Sequence, residues 1–521
     1  MSFIPPPFSF YFFCIFISSY PYEKTQNSMK ILTGRQIREA DRATLQNQEL
    51  HSTELMERAA LRIAGYLMER YASRPTFLFV VGKGNNGGDG LAVARIMAGN
   101  GFKCRVYTLF PENECTEEYR TNLKRLPVSV TVEVFDPQMP PPPIPGAIVV
   151  DALLGIGADG AAREPIASVI DRINASGREV VSLDIPSGLA TEFGNTERPV
   201  VLADVTLALQ YPSLSMLLPE AGEHAGEVVV LDIGLDQKFI DEAPSPYFYV
   251  GKEDIKHLIE KRPKFAYKNE YGHALLIAGS EGMLGAAILA TDGALRSGCG
   301  LVTVHVPKAE HSVMHLSHPA ALVSPDRGNR FTEVPHNLEK YSAVGIGSGI
   351  GQAPETFKAF KELLERYDRP MVIDADALNI LGARKELLPL VPQDSILTPH
   401  AGELKRLIGE WKDDREKLEK TTELAVALNS YIVIKGAYSV VCDPLGHYWF
   451  NSTGNPGMAK GGSGDVLMGL TAGLLAKGMN SRSAAILAVY VHGRAGDDAA
   501  QIWGQESMNA EDIAKNLTRI D

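Results

Sequence analysis

Cysteine is scarce in this chain of 521 residues, and its placement adds nothing to the number. Cys14, Cys104, Cys115, Cys299 and Cys442 are five in all, scattered, with no Cys-x-x-Cys pair among them. That pattern argues against a disulfide framework and a thiolate zinc site, and it suits a reducing compartment. A basic excess is missing too. The 51 Lys and Arg stand against 63 Asp and Glu, a formal net charge of -12, which is the wrong sign for a general nucleic-acid binder. The apolar run at residues 8–17 is too short to span a bilayer, and no Lys or Arg precedes it as in a secretory signal. Pro5, Pro6 and Pro7 spoil a helix there. Met29 then opens Met-Lys-Ile-Leu-Thr-Gly and reads as the natural start, with 1–28 as an extension. What remains is the composition of a cytoplasmic enzyme, at a length that favours more than one core.

Short β-rich runs alternate with amphipathic ones in two series. The first has strands expected at 77–81, 105–109, 147–151, 180–184, 205–209 and 228–232, and helices at 34–70, 91–98 and 166–175. The periodicity lapses at Glu242-Ala243-Pro244-Ser245-Pro246-Tyr247 and then resumes. The second series has strands at 274–278, 302–306, 343–346, 371–374 and 432–435, and helices at 286–297, 355–367, 415–429 and 466–476. Strands separated by helices imply parallel pairing. The expectation is therefore an α/β protein of two three-layer αβα domains, at 29–245 and 246–521. The proline run 140–143 falls between elements as a surface loop, and no internal repeat points to a solenoid.

The stretch that says most is Gly454-Asn455-Pro456-Gly457-Met458-Ala459-Lys460-Gly461-Gly462-Ser463-Gly464-Asp465, followed at once by an apolar helical run. Gly461, Gly462 and Gly464 let backbone N–H groups converge on one point, and the helix adds its positive end. The result is an anion cradle with a carboxylate at its rim, the parts that phosphoryl transfer requires. Asp465 reads as a base or, more blandly, as the N-cap of its helix.

In the amino-terminal series, three unusual loops each follow a strand. They are Gly82-Lys83-Gly84-Asn85-Asn86-Gly87-Gly88-Asp89-Gly90, Asp151-Ala152-Leu153-Leu154-Gly155-Ile156-Gly157 and Asp184-Ile185-Pro186-Ser187-Gly188. Ligands of open α/β sheets bind beyond the carboxyl ends of strands, so three such loops point to a site. Asn86, Asp151 and Ser187 offer oxygen donors that suit a hard cation. Asp184 is free to act as acid or base on an organic ligand.

With these strings the chain resembles the bifunctional NAD(P)H-hydrate repair enzymes, an epimerase domain fused to an ADP-dependent (S)-NAD(P)H-hydrate dehydratase domain. Four further strings carry the resemblance: Ile277-Ala278-Gly279-Ser280, Asp374-Ala375-Asp376-Ala377-Leu378-Asn379, Leu397-Thr398-Pro399-His400-Ala401-Gly402-Glu403 and Lys435-Gly436-Ala437. The resemblance implies a Rossmann-like first domain and a ribokinase-like second domain. It implies a potassium ion on Asn86, Asp151 and Ser187. Asn85, Asn86, Gly87, Gly88, Asp89, Gly155, Ile156, Gly157, Ala158, Asp159, Gly160, Ala161 and Asp184 would contact the hydrated dinucleotide, with Asp184 moving the proton. In the second domain Asp465 would be the base, and Gly461, Gly462 and Gly464 would hold the transferred phosphoryl group. Lys435, Gly436, Ala437, Tyr438 and Ser439 would hold the nucleotide, with its magnesium ion. Ala286 or Ala287, Gly349 and His400 would meet the hydrate. A homo-oligomer is expected, with no nucleic acid or membrane as partner. The rival reading is a ribokinase-like small-molecule kinase with a non-catalytic amino-terminal binding domain.

Overall fold

Along the strand Thr76–Val81 alternate side chains serve two different cores. Phe77, Phe79 and Val81 pack with Ile63, Leu67, Leu91 and Met97 from helices Ser52–Arg70 and Asn85–Gly99. Leu78 and Val80 pack with Val169, Ile170 and Ile173 from helix Ile166–Asn174. Strand side chains alternate between faces, so an apolar residue at every position demands helices on both sides. The computed structural model describes residues 29–135, 144–157, 162–193, 199–259 and 261–517. The proline loop at 140–143 and the extension 1–28 lie outside them.

The chain forms two units, one of Met29–Tyr249 with Trp411–Lys417, the other chiefly of Val250–Glu410 and Leu418–Asp521. In the first, seven strands lie in the spatial order Thr131–Val134, Lys103–Thr108, Thr76–Val81, Ile148–Ala152, Val180–Leu183, Val205–Leu209, Glu227–Leu231. Every neighbouring pair is parallel. The chain winds one way from Thr76–Val81 and the other way from Ile148–Ala152, so the topology reverses between those two strands. Met29 and Lys30 pair antiparallel with Tyr249 and Phe248.

In the second unit the order is Tyr448–Asn451, Val440–Cys442, Tyr431–Ile434, Ile396–Leu397, Met371–Ile373, Ala343–Ile346, His273–Ile277, Leu301–Pro307, Leu322–Asp326. The first two strands run antiparallel as hairpins, and the rest are parallel. Here the winding reverses between His273–Ile277 and Ala343–Ile346. The α/β class and parallel winding are as the sequence implied. The short strands Ile396–Leu397 and Val440–Cys442 carry too little pattern to be read that way.

Three helices differ from the expected ones, each for a local reason. The run read as one helix over 34–70 is two, Gly34–Asn47 and Ser52–Arg70, broken where Glu49 takes a φ of 54°. The helix expected to start at 91 starts at Asn85, so most of the first glycine loop is helical. Its glycines serve close packing: a Cβ on Gly87 would lie 2.0 Å from the Gly82 carbonyl oxygen, and one on Gly90 would lie 2.7 Å from the Ala152 Cβ. The helix expected at 466 starts at Ser463 and runs to Ala476. It crosses helix Leu284–Arg296 so closely that a Cβ on Gly469 would stand 1.8 Å from the Ala290 carbonyl oxygen. That contact sets the height of the helix start over the sheet.

Candidate functional site

Where the winding of such sheets reverses, ligands bind beyond the carboxyl ends of the central strands. In the first unit a cavity of about 510 Å3 lies there. Gly84, Asn85, Asn86 and Asp89 line it from the loop and helix after Thr76–Val81. Gly155, Ile156 and Gly157 line it after Ile148–Ala152, and Asp184 after Val180–Leu183. The three expected loops therefore meet in one place. Ala158, Asp159, Gly160 and Ala161 lie outside the described residues.

Asp184 holds a φ of 68°, a left-handed conformation that a non-glycine residue adopts at a cost. Its Oδ2 accepts the Ile156 N–H at 3.0 Å. Burial pushes its carboxyl up to about 6, against the pull of that one hydrogen bond. Gly155 has to be glycine, because a Cβ there would stand 2.9 Å from Asp184 Oδ2 and 3.2 Å from the Asn86 Cβ. Burial also drives Asp89 well above the ordinary carboxylate range, and the charges of Asp184 and Asp41 add to it.

Beneath the cavity Asp151 is fully buried. It accepts hydrogen bonds from Ser182 Oγ (2.8 Å), Ser187 N–H (2.9 Å), Ser187 Oγ (2.6 Å) and Leu153 N–H (3.2 Å). Burial raises its pKa, and these four donors offset part of the rise. Asn86 Nδ2 donates to the Leu154 carbonyl at 2.9 Å, the same carbonyl that Ser187 Oγ reaches at 3.2 Å. Asn86 Oδ1 is buried with no hydrogen-bond partner among the described residues. Asn86, Asp151 and Ser187 thus cluster around Leu154, and one acceptor oxygen is left open. That donor set fits a hard cation.

In the second unit the expected residues lie after neighbouring strands. Asp374 follows Met371–Ile373, and its Oδ1 accepts from Thr398 Oγ1 at 2.8 Å and from Lys435 Nζ at 2.7 Å. Lys435 also lies 3.8 Å from Glu403 Oε2. Burial works against its charge, but Asp374 and Glu403 more than offset that, and its pKa is raised. Ala375, next to Asp374, has a φ of 46°, so strained backbone marks this site as well. Lys435 opens the tight turn before Val440–Cys442 that includes Gly436, Ala437, Tyr438 and Ser439. In it Gly436 N–H reaches Ser439 Oγ at 3.4 Å.

Gly462, with a φ of 96°, is the N-cap of helix Ser463–Ala476. Asp465 is therefore the third residue of the first turn and is not the cap. Its carboxyl is pushed up to about 6, by burial first and by the charge of Asp374, with the Ser348 hydroxyl and Lys435 pulling down. The buried Ser348 Oγ makes no well-aligned hydrogen bond among the described residues. A Cβ on Gly464 would sit 3.5 Å from Lys435 Nζ and 3.7 Å from Asp374 Oδ2, so this glycine leaves the space over the pair clear. The string is anchored from both sides. Lys460 Nζ donates to the carbonyls of Glu506 (2.5 Å) and Met508 (2.7 Å), and Asp497 accepts from Gly454 N–H and Asn455 Nδ2, both at 3.0 Å. Gly461 is exposed beside the cradle.

Gly349, with a φ of 67°, faces Ala286: a Cβ on it would meet the Ala286 Cβ at 3.1 Å. Ala287 instead is wholly buried under Gly279. His400 caps helix Ala401–Ile408, with Nδ1 accepting the Gly402 N–H at 2.9 Å. Its proton therefore sits on Nε2, 3.3 Å from Glu403 Oε1. Asp376 lies in helix Ala375–Ala383, and its carboxylate accepts from Gly351 N–H at 2.8 Å and Gln352 Nε2 at 2.9 Å.

Arg38 and Asp41, on helix Gly34–Asn47, line the first cavity and were not read from the sequence. A signal was present: Ile37, Ala40, Asp41 and Thr44 fall at the i, i+3, i+4, i+7 spacing of one helix face, and Ile37, Ala40 and Thr44 are buried. An aspartate on such a stripe faces inward.

Two sets of residues at reversal points, one a cavity ringed by carboxyls and one a glycine-rich helix start beside a buried Lys–Asp pair, define a two-site α/β enzyme of nucleotide chemistry. Family models match both halves, "YjeF-related protein N-terminus" over 52–215 and "NAD(P)H-hydrate dehydratase" over 274–519. The bifunctional NAD(P)H-hydrate repair enzyme of Moorella thermoacetica is 34% identical over 515 residues, covering 94% of this chain and 96% of its own. That of Coxiella burnetii is 33% identical over 492 residues, covering 93% and 98%. A crystal structure of the ADP/ATP-dependent NAD(P)H-hydrate dehydratase of Bacillus subtilis, co-crystallized with ATP and Mg2+, matches 52% of this chain and 96% of that one, at 32% identity and a TM-score of 0.45. The chain belongs to the bifunctional NAD(P)H-hydrate repair enzyme family.

Proposed function

We propose that this chain interconverts the R and S forms of hydrated NADH and NADPH in its first unit and dehydrates the S form in its second, at the expense of ADP. The observation that carries the reading is the place of Asp465. It stands in the first turn of a helix in which Gly464, the residue before it, leaves the space over Lys435 and Asp374 clear.

The dehydration is chemically demanding because hydroxide is a poor leaving group. Asp465, already poised near neutrality, takes the proton of the C6 hydroxyl as its oxygen attacks the β-phosphorus of ADP, and AMP leaves. First-turn N–H groups and Lys435 stabilise the charge on the transferred phosphoryl group. The C6–O bond then breaks with its electron pair on phosphate, C5 loses a proton, and the C5–C6 double bond of NAD(P)H returns. Lys435 to Ser439 would hold the nucleotide, and Ala286, Gly349 and His400 Nε2–H would meet the hydrate. A magnesium ion would screen the nucleotide phosphates, with Asp374 as the carboxylate within its reach.

In the first unit Asp184 would move a proton to or from the oxygen on C6, and the loop and helix from Asn85 to Asp89 with Gly155 to Gly157 would seat the dinucleotide. Asn86, Asp151 and Ser187 would hold a potassium ion, which when bound supplies fixed positive charge beneath the cavity. The protein would act in the cytoplasm, as a homo-oligomer. Among the described residues no helix is long and apolar enough to cross a membrane.

The test mixes the protein with R and S hydrates, ADP and magnesium, and follows the near-ultraviolet absorbance of reduced nicotinamide beside an Asp465→Asn control. Full recovery faster than spontaneous epimerisation, lost in the control, is expected. Recovery of the S fraction alone would leave the first unit a binding module. A phosphorylated alcohol that accumulates without NAD(P)H would make the second unit an ordinary kinase.

A further inference from the structure

We propose that Asp41 is a second proton-transfer group of the amino-terminal cavity, working on the hydrate opposite Asp184; this rests on the epimerase reading above. Asp41 reaches the cavity from helix Gly34–Asn47, whereas Asp184 reaches it from the end of strand Val180–Leu183, so the two enter it from different elements. Three other charged groups there are engaged, whereas Asp89, like Asp41, makes no hydrogen bond or ion pair among the described residues. Arg38 donates to the Ile156 carbonyl at 3.2 Å, Lys83 lies 3.9 Å from Glu114, and Asp184 holds the Ile156 N–H. Asp41 has no hydrogen bond or ion pair among the described residues. An unpaired carboxyl in a largely apolar wall carries a desolvation cost that the fold does not repay.

Epimerisation at C6 calls for two such groups. The C6 carbon bears both the hydroxyl and the ring nitrogen N1. A proton given to the hydroxyl lets it leave as water, while the N1 electron pair forms a C6–N1 double bond. Water then adds to the opposite face, its oxygen pair closing on C6, the π pair returning to N1 and its proton passing to a carboxylate there. Water and protons balance, and no oxidant or further reactant is needed. An acid on one face and a base on the other perform this in both directions, and either can start in either role.

Electrostatics on the page support the pairing. Asp41 and Asp184 are each pushed up to about 6, burial being the first cause in both, and the Asp184 charge adds to the rise at Asp41. A carboxyl near 6 keeps both a protonated and an ionised fraction close to neutrality, so each can serve as acid or as base. The other titratable and charged neighbours of Asp41 are Asp89, Arg38, Lys83 and Tyr211. The buried Tyr211 hydroxyl has no hydrogen-bond partner among the described residues and is itself raised, chiefly by burial, with Asp41 among the lesser causes.

The test uses the full chain and Asp41→Asn, Asp41→Glu and wild type, each supplied with R hydrate alone and with S hydrate alone. In Asp41→Asn the R-to-S rate should fall about 100-fold or more while dehydration of S hydrate holds within about twofold. The pH profile of epimerisation should lose one limb in the Asn variant, and Asp41→Glu should regain at least about tenfold over Asn with that limb displaced. An Asn variant that epimerises within about threefold of wild type with an unchanged profile overturns the proposal. If Asn does not fold, a Glu profile identical to wild type overturns it. Wild type that dehydrates S hydrate but never epimerises R hydrate would instead refute the epimerase reading, and this inference with it.

Discussion

Asp465 is expected to impose an acid limb on the dehydratase, and the structure fixes where that limb falls. A carboxyl at its usual 3.8 would be almost fully ionised throughout the working range, and activity would be flat from pH 7 to 5. At about 6 the fraction able to accept a proton is roughly nine-tenths at pH 7, half at pH 6 and one-tenth at pH 5. Initial rates on S hydrate at low substrate concentration, which report the free enzyme, should therefore fall about tenfold over that span with unit slope. Ser348→Ala removes a group that holds Asp465 down, so the limb should move to higher pH. The same shift has a cost in stability. The raised pKa means that the folded state binds the proton more tightly, so the stability contribution is lost as pH rises from about 4 through about 6. Asp465→Asn removes that liability and should melt higher at pH 7 than wild type. The gain is of order 1–2 kcal/mol after discounting for partial exposure, while activity falls about 100-fold or more. A profile flat between pH 7 and 5, or an Asn variant that is both active and no more stable, would refute this account of the base.

Lys435→Met should raise the KM for ADP. It should also destabilise the second unit by about 3–5 kcal/mol, read by denaturant titration, because Asp374 is left buried without its cation. Gly469→Ala places a Cβ 1.8 Å from the Ala290 carbonyl oxygen, so the two helices must part; a loss of about 2–4 kcal/mol and a fall in dehydratase kcat are expected, with epimerase rates unchanged. Asn86→Ala removes the open acceptor oxygen, and epimerase activity in the variant should no longer respond when potassium is replaced by a large organic cation.

The strand–helix alternation, the parallel winding and the strand ends that carry the glycine-rich loops were legible in the sequence, because period-2 and period-3.6 patterns and glycine-rich loops are local signals. The family strings likewise announce themselves residue by residue. Which side of a helix start Asp465 occupies was not legible. The choice of Gly462 as cap depends on a positive φ imposed where Leu289 and Ala510 crowd the turn, contacts distant in sequence. Asp41 went unread because a charged Arg-Glu-Ala-Asp-Arg segment looks like a solvated face until the fold lays it over the crevice. The pairing of Lys435 with Asp374, 61 residues apart, exists because their strands end side by side but for Ile396–Leu397. The rise of the carboxyls at 41, 184 and 465 comes chiefly from burial and can be read from no sequence pattern. Chain order determines which residues can follow a strand, but burial and the approach of distant charges, which only the packed structure supplies, decide what those residues can do.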